Sequence, residues 1–348
     1  MDDLVATPKE TKKAIEQGIR QALLELGSAT KAEISGKLSI SFPTISKFLA
    51  RMEESGEIMT LGLGESSGGR RAIRYSYNPE YRLGLALFLE KEETQYMIFD
   101  SRGETKEKGR TSTSLTKDAG SLAEQAGKIL SKYPNIGSIA IGVPGAVRLG
   151  RIVLIPDYPQ LQNVDLKGDF EQRFGIPVVV ENDMNAAVLG YSRIRFPVHE
   201  QRRQTLVYLY FGQNGPGAGM LINGEVVRGS TYFSGEVSFV PLHDDRNFGQ
   251  AMFDVRGPGG IRHLSEATID SVSRLVASLA AILNPHEIVF GEDEVTNRQL
   301  RRIALGSADY IPEAHLPKLS LSDRDDDYLT GLRELGLDLL MEGATINN

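Results

Sequence analysis

The chain has no cysteine and no tryptophan, and it holds only five histidines among 348 residues. Without cysteine it can form neither a disulfide nor a thiolate metal site. The histidines are scattered, and no two of them have the spacing that places two metal ligands on one face of a helix. We therefore expect neither a metal ion nor an organic cofactor in this protein.

Long apolar runs are missing as well. No segment approaches the ~18 consecutive apolar residues that cross a bilayer. The first residues, MDDLVATPKETKK, lack the basic start and apolar core of a signal peptide. Hydrophobic residues make up 41% and charged residues 24%, which is the balance of a globular protein in water. We therefore predict a cytoplasmic protein without membrane contact, long enough for two or three folded units.

The net charge of −7 is unevenly distributed along the chain. Residues 1–80 carry 11 basic and 11 acidic side chains, so the excess of acid lies entirely in the remainder. An acidic body of that kind is repelled by nucleic acid. Any contact with DNA is therefore expected from local basic groups in the neutral amino-terminal part.

Three short helices are predicted before residue 60. Apolar residues follow helical spacing over 10–26, and Thr30 and Glu33 form a capping box that predicts the start of a second helix. A third helix is predicted to begin at Ser41 and to end at Gly56, with a buried apolar stripe of Ile45, Phe48, Leu49 and Met52. The two residues between the second and third helices give the spacing of a helix-turn-helix, whose second helix lies in the major groove of DNA.

The polar face of this third helix carries side chains that can donate to bases and phosphates. Its candidate DNA contacts are Ser41, Thr44, Ser46, Lys47 and Arg51. The following GLGESSGGRRAIRYSYNP predicts a wing, in which a mobile tip with Arg70 and Arg71 enters a narrow minor groove. The alternatives are a bundle with a solvated face and a basic surface hairpin. Because the two features adjoin, we favour a winged helix-turn-helix DNA-binding domain over residues 1–79.

Downstream of residue 80 the pattern becomes α/β. Three strands of a meander are predicted over 82–112, and a second series of strands begins at Thr205 and includes a hairpin turn at Asn223–Gly224. Two successive strand-rich halves with helices predict a duplicated α/β body over 80–348. We expect two lobes, roughly residues 80–195 and 196–348, with a cleft between them that suits a small ligand.

The stretch VENDMNAAVLG places Asn182 and Asp183 where a strand ends and a helix begins. Open α/β sheets bind their ligands at such strand ends. The residues alone leave three roles open for Asp183: a general base, an acceptor that holds a hydroxyl, or a helix cap. From the residues alone the cap is favoured, because aspartate is a preferred capping residue and an alanine-rich run follows it.

Several short motifs, spread over nearly the whole chain, have a specific order and spacing. They are SFPTISKFLARMEESGEI, ESSGGRRAIRYSYNP, IGVPGAV, VVVENDMNAAVLG, LYFGQNGPGAGMLINGEVVRG, SGEVSF and LNPHEIVFG. Together they resemble the ROK family of repressors, open reading frames and kinases. The resemblance implies an actin-like, two-lobed sugar-kinase fold, which in the repressors follows a winged helix-turn-helix. It also implies that Asp183 stands at the catalytic base position, Asn182 at a sugar-hydroxyl contact, and Glu236 in the sugar site.

Two departures from the family pattern bear on function. The kinases follow their first strand with an aspartate and a Gly-Gly-Thr phosphate loop, whereas this chain has LALFLEKEETQYMIFD there. The carboxylates of Glu90, Glu92 and Glu93 would repel a nucleotide. In the family a zinc-binding histidine stands where this chain has Phe239, and the cysteines of that site are absent.

Three functions remain after these arguments: a sugar-responsive repressor, a DNA-binding protein with a kinase-like scaffold, and a sugar kinase. We favour a non-enzymatic repressor of sugar-metabolism genes that binds double-stranded operator DNA. Its effector is expected to be a sugar or sugar derivative bound by Asn182, Asp183 and Glu236. Because helix-turn-helix proteins normally read repeated half-sites, a homodimer or higher homo-oligomer is expected.

Overall fold

A computed structural model describes residues 7–63, 72–90, 93–111, 119–155, 158–212, 215–253 and 266–343 of the chain. Three residues discussed above fall outside these ranges, namely Arg70, Arg71 and Glu92. Within the described ranges, no helix is both long and apolar enough to cross a bilayer.

The amino-terminal unit packs helices against a small antiparallel sheet. Its elements are α1 (Pro8–Leu26), β1 (Ala29–Thr30), α2 (Lys31–Leu38), α3 (Phe42–Glu54), β2 (Ile58–Leu63) and β3 (Ile73–Tyr77). Strand β3 lies between β1 and β2. The predicted apolar stripe of α3 is confirmed, because Ile45, Leu49 and Met52 are buried and Phe48 packs against the same core.

The boundaries of α2 and α3 follow from local hydrogen bonds. The predicted capping box is confirmed: the Thr30 amide donates to Glu33 Oε2 at 2.7 Å, and the Glu33 amide donates to Thr30 Oγ1 at 3.2 Å. Ser39 ends α2 in a left-handed conformation with φ of 55°. Gly56, with φ of 78°, follows α3 as predicted and donates its amide to Glu53. The turn between α2 and α3 therefore comprises Ser39, Ile40 and the capping residue Ser41.

A buried ion pair joins α1 to the start of the β2–β3 hairpin. Arg20 and Glu57 are each only 5% exposed. Arg20 Nη2 donates to Glu57 Oε2 at 3.2 Å, and Arg20 Nε donates to the other carboxylate oxygen. The two charges compensate each other where water does not reach them, so neither can be removed without leaving the other uncompensated.

The body contains two sheets that mix parallel and antiparallel strands. The first has the order β10-β7-β4-β5-β6, with β4 (Leu83–Leu89), β5 (Thr94–Asp100), β6 (Thr105–Thr111), β7 (Ile136–Val143) and β10 (Val178–Asn182). The second has the order β13-β12-β11-β14-β15, with β11 (Leu206–Tyr210), β12 (Gly217–Ile222), β13 (Glu225–Val226), β14 (Glu287–Gly291) and β15 (Lys318–Ser322). A separate hairpin, β8 (Ala146–Arg148) and β9 (Arg151–Leu154), follows β7.

Helices cover both faces of each sheet. They are α4 (Ala119–Lys132), α5 (Leu166–Phe174), α6 (Asp183–Arg195), α7 (Val198–Gln201), α8 (Phe248–Phe253), α9 (Glu266–Leu283), α10 (Asn297–Ala308) and α11 (Arg324–Gly343). Helices α4 and α5 pack outside the first sheet, and α8, α9 and α10 outside the second. Helices α6 and α11 share one buried core with the inner faces of both sheets. The two-lobed α/β fold predicted from the sequence is confirmed.

Glycine permits the close crossing of the two central helices. A Cβ atom on Gly190 of α6 would lie 1.8 Å from the Asp327 carbonyl oxygen, and one on Gly331 of α11 would lie 1.9 Å from the Ala186 carbonyl oxygen. Both contacts are with backbone, which has no room to move aside. Helix α11 therefore packs on α6 and on strands β4 and β7 of the first sheet, although it comes last in the chain.

Several predicted elements agree closely with the structure. The meander is β4–β5–β6, and the hairpin turn at Asn223–Gly224 joins β12 to β13 with positive φ angles of 52° and 79°. Such angles are those of a tight turn that matches the twist of the strands. The β8–β9 hairpin and everything after Phe290 were not predicted, because short strands and a helix with buried polar residues give weak periodic signals.

Candidate functional site

The predicted DNA-reading face lies on α3. Lys47 and Arg51 are exposed, and Ser41 caps the helix start, where its hydroxyl is 2.8 Å from Thr44 Oγ1. Arg51 Nη2 lies 3.7 Å from Glu16 Oε1 on α1, so this arginine has an intramolecular partner. Ser46 is half-buried on the same helix. Thr44, Lys47 and Arg51 have the spacing of one helix side, whereas Ser46 lies away from that side. Arg70 and Arg71 lie outside the described residues.

Phe42 is an exposed apolar residue at the start of α3 that sequence reasoning missed. It is the first residue of α3, and 52% of its side chain is exposed. An aromatic ring at the start of a DNA-reading helix can contact the methyl group of thymine. Phe42 continues the helical spacing of Ile45 and Leu49, so the apolar pattern alone would place it in the core.

A cavity of about 940 Å³ opens between the two sheets. Its wall combines the ends of β4, β10 and β11, the start of α6, the loop before α8, and the start of α11. The charged side chains in that wall are Glu90, Glu93, Arg110, Asp183, Arg228, Glu236 and Arg324. The cleft predicted between the lobes therefore contains the predicted Asn182, Asp183 and Glu236 together.

Asn182, and not Asp183, caps helix α6. Its side-chain oxygen accepts a hydrogen bond from the Asn185 amide at 3.0 Å, whereas Asp183 is already the first helical residue. The Asn182 amide nitrogen donates to the Gly145 carbonyl at 3.0 Å and to Asp183 Oδ1 at 2.9 Å. The capping role considered for Asp183 is therefore wrong. The residue before it has the extended backbone that a cap requires.

Asp183 is held in the cavity wall by its neighbours. Its Oδ1 accepts from the Met184 amide at 2.8 Å and from Asn182. Burial raises the pKa of Asp183 to about 6, although the positive charge of Arg324 opposes this shift. A carboxyl group with this pKa changes its charge near neutral pH and can either accept or donate a hydrogen bond there.

Glu236 is the second acid of the cavity. It immediately precedes a 3₁₀ turn over Val237–Phe239, and its backbone amide donates to Phe233 at 3.3 Å. Burial, followed by the charge of Asp183, raises the pKa of Glu236 to about 7. Because each acid disfavours ionisation of the other, the pair carries less than two full negative charges near neutral pH.

Two arginines in the cavity wall join different parts of the body. Arg228 Nε donates to Glu181 at 3.1 Å, and the same carboxylate accepts from Asn185 at 3.0 Å. This pair connects the end of β10 in the first lobe to the loop after β13 in the second. No sequence signal had identified Glu181, although it directly precedes Asn182.

Arg324 is the second of these arginines. Its side chain is 14% exposed, and its guanidinium carbon lies 4.4 Å from the centroid of Tyr210 and 5.2 Å from that of Phe88. Its Nη2 also donates to Glu90 at 2.8 Å. Because Tyr210 belongs to the second sheet and Phe88 to the first, Arg324 bridges the two lobes.

The acidic turn after β4 differs from its prediction in one respect. The Glu90 amide donates to the Glu93 carbonyl at 3.0 Å. Each carboxylate also has a cationic partner, Arg324 for Glu90 and Arg110 for Glu93, both at 2.8 Å. These pairs weaken the repulsion that the sequence predicted. The described residues at this position, Glu90 and Glu93, present paired carboxylates to the cavity.

The described histidines have ordinary structural environments. His243 Nε2 lies 3.1 Å from the Ser271 hydroxyl, and His286 Nδ1 accepts from the Thr205 amide at 3.1 Å. Among the described residues, no three side chains of the types that bind metals come together. Phe239, at the position where the resemblance implies a zinc-binding histidine, lines the cavity instead.

Comparisons with known proteins agree with the fold. A model of the ROK family matches residues 89–250. The xylose repressor of Caldicellulosiruptor bescii is 26% identical over 235 residues, covering 65% of this chain and 58% of that protein. A beta-glucoside kinase of Listeria monocytogenes is 31% identical over 113 residues, covering 32% of this chain and 37% of that protein. This chain thus spans about three fifths of the curated repressor.

A solved structure resembles the chain over almost its whole length. It is a ROK family transcriptional regulator, homologous to the E. coli MLC protein. Its TM-score is 0.68 at 18% sequence identity, covering 97% of this chain and 100% of that one. The likeness therefore extends from the amino-terminal unit through both lobes. The chain is therefore similar to the ROK family over residues 89–250, and it shares the fold of this regulator.

Proposed function

We propose that the chain is a DNA-binding transcriptional repressor whose body binds a sugar effector in the interlobe cavity. The observation that carries this proposal is the combination of two sites in one chain: the polar face of α3 and the acid pair of the cavity. The relatives named xylose repressor combine the family fold with that function, which supports the same assignment here.

The amino-terminal unit acts in this proposal as a winged helix-turn-helix domain over residues 1–79. Helix α3 follows α2 after a short turn and keeps its apolar side in the core, so its polar side faces solvent. Lys47 and Thr44 lie there, while the β2–β3 hairpin forms the wing. A homodimer places two copies of α3 on repeated half-sites of an operator in the cytoplasm.

The body acts in this proposal as a sensor and not as an enzyme. Asp183 and Glu236 offer carboxyl oxygens to sugar hydroxyls, and Asn182 fixes the geometry of Asp183. On the side of the cavity near β4, Arg324 contacts both Glu90 of the first lobe and Tyr210 of the second. A nucleotide phosphate would have to displace these contacts. It would also meet the carboxylates of Glu90 and Glu93.

A binding experiment tests the repressor assignment. A duplex is first selected from a random pool with the purified full-length protein, and its affinity is then measured by fluorescence anisotropy. Thr44→Ala and Lys47→Ala are expected to weaken binding by roughly 1–3 kcal/mol each if the side chains contact bases. Failure to select any duplex, or unchanged affinity in both variants, would remove the support for DNA reading by α3.

A further inference from the structure

An exposed aromatic pair borders the cavity beside its acid pair. The ring centroids of Phe233 and Phe239 are 5.2 Å apart, with 50° between the ring planes. Phe233 is 44% exposed and Phe239 is 56% exposed. Phe239 also lines the cavity, together with Tyr232. An apolar surface that is continuous with a polar cavity is typical of a ligand groove.

The backbone directs Phe239 to the same cavity as Glu236. The Phe239 amide donates to the Glu236 carbonyl at 3.1 Å, which is the hydrogen bond of a 3₁₀ turn. Side chains three residues apart in such a turn lie on the same side. Val237, inside the turn, is buried, and the Ser238 hydroxyl donates to the Pro216 carbonyl at 2.6 Å. The turn is thus anchored on one side and presents Glu236 and Phe239 on the other.

Amide side chains border the same part of the cavity. Asn247 and Gln250 both line it, and each accepts a hydrogen bond from the backbone amide of the other, at 2.8 and 2.9 Å. These bonds fix the orientation of both side chains. An aromatic face next to oriented amides suits a ring with one apolar face and a polar edge, because the two parts of the ring need different partners.

The size of the cavity also favours a ligand larger than one sugar ring. Its volume of about 940 Å³ lies near the upper end of the range of roughly 300–1,000 Å³ for pockets that hold drug-sized molecules. A single pyranose at Asp183 and Glu236 would leave the part next to Phe239 filled with water. The aromatic surface there would then remain in contact with water, which is unfavourable. A second sugar ring would remove that surface from water.

We propose that Phe239, supported by Phe233, is a second subsite that takes the apolar face of a sugar ring, so that the ligand is a disaccharide. One ring contacts Asp183 and Glu236, and the second packs its C–H bonds on Phe239. This inference rests on the proposed function, since it extends the sugar site of the repressor. It explains why an aromatic residue stands beside Glu236 in this cavity wall.

Calorimetry with the full-length protein tests this subsite. The probes are two monosaccharides, xylose and glucose, and their disaccharides, xylobiose and cellobiose. In the wild-type protein one disaccharide is expected to bind roughly tenfold more tightly than its monosaccharide. Phe239→Ala should remove this preference without changing the monosaccharide affinity, and Phe239→Trp should retain it. Leu305→Ala, at a 73% exposed position on α10, is the matched control and should change neither affinity.

Other outcomes separate the subsite from the repressor assignment. Equal wild-type affinities for a monosaccharide and its disaccharide, or an equal loss of both in Phe239→Ala, would reject the subsite and retain the sugar site. Binding of none of the four probes would count against the sugar-effector part of the proposed function and against the subsite with it. Dissociation of the wild-type oligomer by Phe239→Ala in sedimentation experiments would show that the pair is a protein interface, and would also overturn the subsite.

Discussion

The face of α3 and the wall of the cavity hold their polar side chains in opposite ways. On α3, Lys47 lies in solvent. In the cavity, both ends of the Asn182 amide are engaged by protein groups, and Asp183 is held by Asn182 and by a backbone amide. A side chain that adapts to the shape of DNA benefits from conformational freedom. A small ligand is bound best by groups whose orientation is fixed before binding.

The difference teaches that the two proposed activities can be separated by point substitutions. Changes on α3 are expected to alter DNA affinity with or without sugar. Changes in the cavity are expected to alter the response to sugar and to leave the DNA affinity without sugar unchanged. The following predictions test that separation, beginning with the largest effect.

Removing one partner of the buried ion pair should have the largest effect on stability. Glu57→Ala leaves Arg20 charged and buried, which typically costs about 3–5 kcal/mol of unfolding free energy. We expect a strong loss of stability in the amino-terminal unit. Urea unfolding monitored by circular dichroism measures this loss. Glu25→Ala is the control, because the Glu25–Lys37 pair is exposed and exposed pairs contribute little to stability. Equal losses in the two variants would contradict the structural role of the pair.

Substitution in the cavity should weaken sugar binding by less free energy than Glu57→Ala costs in stability. Asp183→Ala removes a charged hydrogen-bond acceptor, so calorimetry should show a loss of about 2–3 kcal/mol in sugar affinity. Asn182→Ala removes the α6 cap, so its melting curve should show a loss of about 0.5–2 kcal/mol in stability. If Asp183→Ala binds sugar like the wild type, the aspartate has only a structural role.

Within α3, two exposed basic residues should differ in their effects on DNA binding. Lys47→Ala is expected to cost roughly 1–3 kcal/mol of operator affinity if it reads a base. Arg51→Ala should cost less, because Arg51 must first leave its partner Glu16. Fluorescence anisotropy at several salt concentrations measures both losses. A larger loss for Arg51→Ala would indicate that the Glu16 contact is absent in the DNA complex.

A separate effect is expected in the pH dependence of stability. The pKa of Glu236 in the folded protein is about 7, above its ordinary value of 4.5. Between these values the folded state binds more protons than the unfolded state, so stability falls as pH rises from about 4.5 to 7. Melting temperatures across that range should fall less steeply in Glu236→Gln. An unchanged slope would show that Glu236 does not contribute to it.

Much of the fold was predictable because it depends on local patterns. The capping box at Thr30, the buried stripe of α3 and the turn at Asn223–Gly224 are each encoded within a few residues. The last strand and helix were not predicted. Helix α11 buries polar residues such as Asp327 against elements more than a hundred positions away in the sequence. The periodicity of a sequence does not identify such distant partners.

The candidate site was predictable only in part. The motif around Asp183 and the resemblance for Glu236 identified two acids that the fold brings into one cavity. Their raised pKa values depend on burial, which the sequence does not show. Arg324 lies 234 positions from its acidic partner in the sequence, and Arg228 lies 47 positions from its own. Helix capping was assigned to the wrong neighbour because asparagine and aspartate are almost equally good caps.

The most direct test of the repressor proposal measures both sites in one experiment. The affinity of the full-length protein for its selected duplex is determined by fluorescence anisotropy with and without saturating sugar, for wild type and Asp183→Ala. We expect sugar to change the wild-type DNA affinity by about 1–3 kcal/mol, with equal sugar-free affinities in both proteins and no sugar effect in Asp183→Ala. A sugar that binds the wild type in calorimetry but leaves its DNA affinity unchanged would contradict the account.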